Sequence, residues 1–313
     1  MNIRPGRSHM ERKVGKDMEP ADHKSDQYPT SDEIVKEELT EQPGKEYKME
    51  TEPLFEDVSV KGYGRLKDKV AIITGGDSGI GRAVVIAYAK EGARIVLVYK
   101  EETRDAEETA EIARSYGTKC LLIKGNLQKS DFAKDIVEKT LETYGSIDIL
   151  VNNAAEQHPK DSLTEISDEQ IQNTFATNVF GMMYLTREVI PHLKEGASII
   201  NTTSITAFRG NKTLIDYSST KGAVASFTRA LAENLGDKKI RVNQVAPGPI
   251  WTPLIPSTFS GKELEEFGEG SLLGRPGQPV ELAEAYVFLA WDYASSYMTG
   301  QTLHINGGDI ING

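Results

Sequence analysis

One cysteine and five histidines in 313 residues close off several kinds of chemistry. A single thiol, Cys120, cannot build an intramolecular disulfide framework and fits a reducing cytoplasm. It sits in the apolar run KCLLIK, where a buried structural thiol is a simpler reading than a reactive one. The histidines, at 9, 23, 158, 192 and 304, show no zinc spacing, so no metal site is expected. No G-x-S-x-G elbow is present. No apolar run is long enough to cross a bilayer, and mean hydropathy is −0.41. The opening MNIRPGRSHMERKVGKDMEP carries charge without an apolar stretch behind it, which excludes a secretory signal. Positive charge is also in deficit. There are 36 Lys and Arg against 47 Asp and Glu, a net charge of −11, so a phosphate backbone is not the expected partner.

Residues 1 to about 60 differ from the rest. They hold 9 Lys and Arg against 15 Asp and Glu, a net of −6, with scattered prolines and few large apolar residues. Such a segment buries too little apolar surface to offset its own ordering entropy. It is expected to be an acidic N-terminal extension, either flexible or draped over the domain that follows. Ser8–Met10 resemble a cloning remnant. In EPLFEDVSVKGYGRL, residues 52–66, Leu54, Phe55, Val58 and Tyr63 are available as anchors for the end of this arm, on the domain or on a neighbouring subunit. A disordered leader is the competing reading.

From about residue 65 to 313 the pattern is that of one domain without internal repeats. Short β-branched runs alternate with helical stretches: KVAIIT (69–74), RIVLVY (94–99), KCLLIK (119–124), IDILVN (147–152), ASIINT (197–202), IRVNQV (240–245) and TLHIN (302–306). The runs are nearly continuous in apolar residues, as strands buried on both faces should be. Strand–helix alternation of this kind predicts an α/β fold. The expected form is a single Rossmann-type, doubly wound parallel sheet of about seven strands with helices on both faces. Right-handed crossovers then put ligands beyond the carboxyl ends of the strands.

The first strand leads into TGGDSGIGR, residues 74–82. Gly75, Gly79 and Gly81 let the chain turn sharply and approach a ligand closely. The helix that opens here presents free N–H groups and a partial positive charge, which suit a pyrophosphate. Asp77, Ser78 and Ile80 belong to the same turn. No GK[ST] follows, so this is not a Walker loop. An acid about twenty residues on commonly binds the adenosine ribose hydroxyls. Tyr99 and Lys100 stand there instead. Lys100 could attract a 2′-phosphate, while Asp77 would repel one. The balance tips slightly to NAD over NADP, with Lys100 as a plain solvated lysine an equal alternative.

The stretch YSSTK, residues 217–221, puts a tyrosine and a lysine one helical turn apart on one face. Singly, such a pair is as readily a surface contact. Taken in order, TGGDSGIG (74–81), NNAA (152–155), NVFG (178–181), Ser204 after the fifth strand, YSSTK (217–221) and PGPIWT (247–252) resemble the short-chain dehydrogenase/reductase superfamily. The acidic arm and the GGDSGIGR turn look like its bacterial general-stress and glucose/ribitol-dehydrogenase-like members.

The resemblance implies a catalytic tetrad of Asn178, Ser204, Tyr217 and Lys221. Tyr217 would be the acid/base. Its free pKa of about 10 is too high for a base near neutrality, and a nearby cation favours the phenolate. Lys221 would also hydrogen-bond the nicotinamide ribose, Ser204 would hold the substrate oxygen, and Asn178 would kink its helix and hold a water linking Lys221 to solvent. Asn153 and Ala154 would pass beneath the adenosine ribose. Pro247, Gly248, Ile250 and Thr252 would hold the carboxamide side of the nicotinamide. Asn126, followed by Leu127, replaces the family's usual aspartate facing the adenine amine. It accepts the same bond through its carbonyl oxygen, or else is a plain turn residue. Asn178 and Ser204 also have bland readings, as a buried amide and a capping hydroxyl.

Residues 251–275 mix Pro, Gly and a short amphipathic run, as a hinged cover would. Trp251, Leu254, Ile255 and Phe259 would form an apolar wall of the site or pack on the domain. His158 is available to line the mouth, although a loop histidine is the simpler reading. The resemblance suggests that a small primary or secondary alcohol is interconverted with its carbonyl, with a sugar or polyol as one option; no residue names the substrate. A catalytically silent NAD(P)-binding sensor or scaffold is the alternative from another class. The family resemblance further implies a soluble, cytoplasmic homotetramer with no membrane or nucleic-acid partner.

Overall fold

A computed structural model describes residues 28–309. Ser8–Met10 lie outside the described residues. The strands are β1 (Val70–Thr74), β2 (Arg94–Tyr99), β3 (Cys120–Lys124), β4 (Ile149–Asn152), β5 (Ser198–Thr202), β6 (Arg241–Pro247) and β7 (Thr302–Ile305). The helices are α1 (Gly79–Lys90), α2 (Thr103–Ser115), α3 (Ser130–Tyr144), α4 (Asp168–Phe175), α5 (Met182–Val189), α6 (Thr206–Arg209), α7 (Ile215–Leu235), α8 (Gly261–Glu265), α9 (Pro279–Ala290) and α10 (Asp292–Ser295). All seven expected strands are present. They form one parallel sheet in the order β3-β2-β1-β4-β5-β6-β7.

The strand pleat sorts the core into two layers. Ala71, Ile73, Ile95, Leu97, Ile149 and Val151 face one side, packed under α1, α2 and α9. Val70, Ile72, Val96, Val98, Leu150 and Ile199 face the other, under α3, α5 and α7. Successive side chains point to opposite faces, so a sheet covered twice needs apolar residues at every position. Cys120 is buried in the first layer, and burial pushes its thiol up to about 12, so it is a packing residue.

Parallel pairing brings the carboxyl ends of the strands to one edge. Thr74 pairs with Val98, Asn152 with Asn201, Thr202 with Val245. The strand order reverses between β1 and β4, which opens a crevice there. Residues 28–60 have two short 3-10 turns and no strand of their own; the stretch to about 51 crosses this edge, and residues 55–57 follow α1 to its last residue, Lys90, which donates to the Asp57 carbonyl at 2.6 Å. Of the four anchors expected near the arm's end, Phe55 packs on the core beneath α1. Leu54 is tied through its backbone to Gln278 and Val280, while the side chains of Val58 and Tyr63, residues 73% and 84% exposed, pack on no core among the described residues.

Candidate functional site

The turn after β1 is built on close approach. Gly75 and Gly79 have φ of 62° and 51°, a region that side chains with a Cβ rarely adopt. A Cβ on Gly81 would lie 1.8 Å from the Gly75 carbonyl oxygen. Helix α1 is thereby drawn against the end of β1. Asn153 locks the junction: its Nδ2 donates to the Thr74 and Gly75 carbonyls at 3.2 and 3.3 Å, and its Oδ1 accepts from Thr202 Oγ1 at 3.3 Å.

A cleft of about 580 Å³ opens over this edge. It runs past Gly75, Asp77, Ser78, Gly79 and Ile80, with Tyr99, Lys100, Asn126 and Leu127 at one end. Asn153 and Ala154 line the middle. Ser204, Tyr217, Lys221, Pro247, Gly248, Ile250 and Thr252 line the other end. Of the expected site residues only Gly81 and Asn178 do not line it; Gly81 acts through backbone packing. An elongated cleft with a helix N-terminus at its waist suits a dinucleotide. Asn126 lines the cleft, and its Oδ1 accepts the Gln128 N–H at 3.0 Å, which holds the turn and leaves the oxygen a second lone pair.

Helix α7 carries Tyr217 and Lys221 on its buried face, 8% and 3% exposed. Asp216 Oδ1 accepts the Tyr217 N–H at 2.9 Å, while its Oδ2 takes Thr174 Oγ1 and Gln170 Nε2 at 2.8 and 3.1 Å. This buried carboxylate fixes the start of the helix, and sequence reasoning missed it because an acid in a first helical turn looks like ordinary dipole complementation. Thr203 Oγ1 donates to the Lys221 carbonyl at 2.9 Å. Lys221 Nζ donates to the Thr202 carbonyl at 2.8 Å and stands 5.5 Å from the Tyr217 ring centre.

Electrostatics here differ from the expected pattern. Burial pushes the Tyr217 phenol up to about 12, opposed only by the nearby Ser204 hydroxyl. Burial brings Lys221 down to about 8. Desolvation of the phenolate therefore outweighs help from the lysine among the protein's own groups.

Asn178 lies in a π-helical segment, Ala176–Gly181, so its helix is irregular as expected. Its side chain is fully used: Oδ1 accepts the Glu156 N–H at 2.9 Å, and Nδ2 donates to the Glu156 carbonyl at 2.9 Å and Thr220 Oγ1 at 3.1 Å. A second cavity of about 10 Å³, the room of one water, lies between Asn178 and Lys221.

Two groups of cleft residues were not anticipated. Glu102 is 5% exposed and lines the cleft, and its Oε1 has no hydrogen-bond partner among the described residues. It faces Asp77 across the end that holds Tyr99 and Lys100. Its signal was the acid sought about twenty residues after the glycine turn, displaced three positions beyond the strand end. The other group is Gln42, Pro43 and Gly44 of the arm. In the cover over the cleft, Leu254, Ile255 and Phe259 line the wall, but Trp251 does not. Trp251 is 1% exposed and packs with Ile34, Met49, Ile255 and Leu264.

Asp77 sits in the glycine turn with its carboxyl pushed up to about 7, first by burial and then by the Glu102 charge. A raised acid binds its proton more tightly folded than unfolded. Between its ordinary 3.8 and about 7 the unfolded chain therefore holds fewer protons, and stability falls as pH rises. Asp77→Asn removes this cost. Its melting temperature relative to the parent protein should become more favourable on going from pH 5 to pH 8, by the equivalent of about 1–3 kcal/mol. A pH-independent difference would show that Asp77 does not titrate in this window.

The comparisons agree with this geometry. The family model described as enoyl-(acyl carrier protein) reductase, of the short-chain type, matches residues 75–309. The chain is 55% identical to General stress protein 39 of Bacillus subtilis, over 89% of this chain and 97% of that one. It is 47% identical to NADPH-dependent aldehyde reductase 1 of Arabidopsis thaliana, over 87% and 96%. It is 46% identical to glucose and ribitol dehydrogenase of Daucus carota, over 87% and 95%. Among solved structures, 3-ketoacyl-(acyl-carrier-protein) reductase of Brucella melitensis, complexed with NADH, superposes with a TM-score of 0.72 at 35% identity, over 79% of this chain and 100% of that one. A short-chain dehydrogenase of Burkholderia cenocepacia, in complex with NADP, gives 0.74 at 27%, over 78% and 99%. With the sheet order, the glycine turn and the Tyr217–Lys221 face already in place, these matches make the chain an oxidoreductase that belongs to the short-chain dehydrogenase/reductase superfamily.

Proposed function

We propose that the protein interconverts a primary or secondary alcohol of the sugar or polyol class with the corresponding carbonyl, acting in the cytoplasm with Tyr217 as acid/base. The observation that carries this reading is the buried phenol of Tyr217 in the same cleft as Ser204, with Lys221 fixed one turn behind it. A protein that only sensed a dinucleotide would have no need to bury a phenol and an ammonium together. The sugar or polyol class is supported by the likeness to glucose and ribitol dehydrogenase.

A nicotinamide held at the inner end of the cleft would supply the hydride acceptor or donor and, in its oxidised form, a positive charge. Tyr217 takes the hydroxyl proton as the carbon–hydrogen electron pair leaves with its hydride, and gives the proton back in the reverse direction. Ser204 holds the substrate oxygen within reach of the phenol. Lys221 spends one N–H on Thr202 and keeps two for a ribose hydroxyl and for a water in the cavity beside Asn178. That water would carry the proton onward. Tyr217→Phe should lower kcat by about 10²- to 10⁴-fold and leave dinucleotide affinity within about threefold. Turnover equal to that of the parent would remove Tyr217 from the acid/base role.

For the dinucleotide we favour NAD. Asp77 and Glu102 place two buried carboxyl groups at the adenosine end, against one lysine, Lys100. A 2′-phosphate would bring further negative charge among them, whereas a carboxylate at this end suits a ribose hydroxyl. Glu102→Gln should raise the ratio of kcat/KM for NADP over NAD by about tenfold, from the loss of one nearby like charge. An unchanged ratio would exclude Glu102 from the choice.

A homotetramer completes the reading. Ile171, Phe180 and Met183 expose apolar surface along α4 and α5, as a subunit contact would. Sedimentation should give about four times the mass of the chain, and a concentration-independent monomer would refute it.

A further inference from the structure

The arm is the part of this chain that the reaction does not account for. It does not simply cover the domain. It crosses the mouth of the cleft and is tied down on both banks.

On one bank it holds the glycine turn. Glu46 is 1% exposed, and its Oε2 accepts the Gly79 N–H at 2.6 Å while Oε1 pairs with Arg82 Nη1 at 2.9 Å. Asp105 accepts the Glu46 and Tyr47 N–H groups at 3.0 and 3.2 Å. Arg82 returns to the turn, donating from Nε to the Asp77 carbonyl at 3.0 Å. On the other bank the arm holds the lid, residues 251–268. Leu39 N donates to the Pro256 carbonyl at 2.8 Å, and Trp251 Nε1 to the Thr51 carbonyl at 2.9 Å. Ile34 and Met49 pack with Trp251, Ile255 and Leu264. Gly44 passes so close that a Cβ would lie 2.2 Å from the Pro253 carbonyl oxygen.

Between the banks, Gln42 spans the gap. Its Nε2 donates to the Gln157 carbonyl at 2.7 Å on the floor, and to Thr258 Oγ1 and the Ser257 carbonyl at 3.0 and 3.3 Å on the lid. One amide group therefore joins the loop after β4 to the lid, and the residues beside it, Pro43 and Gly44, line the cleft.

We propose that residues 38–51 are a strap that completes the dinucleotide site, with Gln42 as a positioning residue. It holds the lid against the cleft floor, so that release of bound NADH or NADPH requires this tie to open. The inference rests on the reading of the cleft as a dinucleotide site. It does not depend on the substrate or on the role of Tyr217.

The test uses the full chain with Gln42→Ala, which removes the tie, and Gly44→Ala, which forces the strap away from Pro253. Two readouts are taken. Amide hydrogen exchange across residues 252–260 is followed in the protein without added dinucleotide. Release of NADH, and separately of NADPH, is followed by stopped-flow fluorescence. Both variants should speed exchange in the lid and raise the release rate about five- to tenfold, as expected for losing a cluster of hydrogen bonds. Thermal melting within about 3 °C of the parent separates a local effect from general loss of stability. Lid exchange and release rates within twofold of the parent in both variants would overturn the proposal. If the parent itself bound neither NADH nor NADPH, the dinucleotide reading would fail and the strap's role in release with it. Lid exchange would then still report separately whether Gln42 holds the lid.

Discussion

The contact between Gly81 and the Gly75 carbonyl is the constraint on which the site depends. A Cβ at 1.8 Å cannot be relieved by a rotamer change, because the opposing atom is backbone. With no side chain there, α1 starts directly over the end of β1, at the edge where the strand order reverses, with its first N–H, that of Gly79, taken by Glu46. The same approach brings Asn153 within reach of both Thr74 and Gly75, so that β1, β4 and β5 end in one hydrogen-bonded knot. The floor of the cleft is therefore rigid. The parts with freedom to move lie above it, in the lid and the strap.

Burial sets the chemistry at the inner end. A phenol raised to about 12 and an ammonium lowered to about 8 are both less ionised than they would be in water. Neither partner is poised by the other alone. Catalysis near neutrality then needs a positive charge brought into the same dry space, where it acts with less screening than in solvent. An oxidised nicotinamide carries such a charge. Coupling the acidity of Tyr217 to that charge would keep the phenol protonated until the reacting partner is beside it.

Much of this was legible in the sequence, for physical reasons that differ by residue. The strands could be read because each is buried on both faces; RIVLVY matches β2 end to end. IDILVN runs two residues ahead of β4, because Ile147 is buried without pairing in the sheet. The glycine turn and the Tyr217–Lys221 spacing are local and survive translation into structure unchanged. Glu102 was not legible, since its burial comes from the first turn of α2 folding back on Asp77. The arm was legible only as a segment either flexible or draped on the domain, and the strap's place across the cleft was not legible. Its composition is polar, and the apolar residues of the arm that pack, Ile34, Leu39, Met49 and Phe55, follow no period. Its ties join residues such as Gln42 and Gln157, far apart in the chain. Trp251 shows the same limit: whether it lined the cleft or packed elsewhere was decided by the arm, which supplies Ile34 and Met49 against it.

The buried charges behind the turn explain why an acidic strap is compatible with an anion-binding loop. Arg82 pairs with the carboxyl groups of Glu46 and Asp105 and donates to the Asp77 backbone carbonyl, with the Asp77 carboxyl close by. Fully ionised, the cluster would carry negative charge beside the helix N-terminus and weaken its attraction for a pyrophosphate. Burial works against that. It pushes Glu46 and Asp77 each up to about 7 and raises Asp105 as well, which brings the cluster closer to neutral around Arg82. Glu46 thus ties the strap to Gly79 through a hydrogen bond while adding less charge than an exposed carboxylate would. The arm's exposed acids remain in water. The one acid it sends into the site is placed where the guanidinium and desolvation together limit its charge.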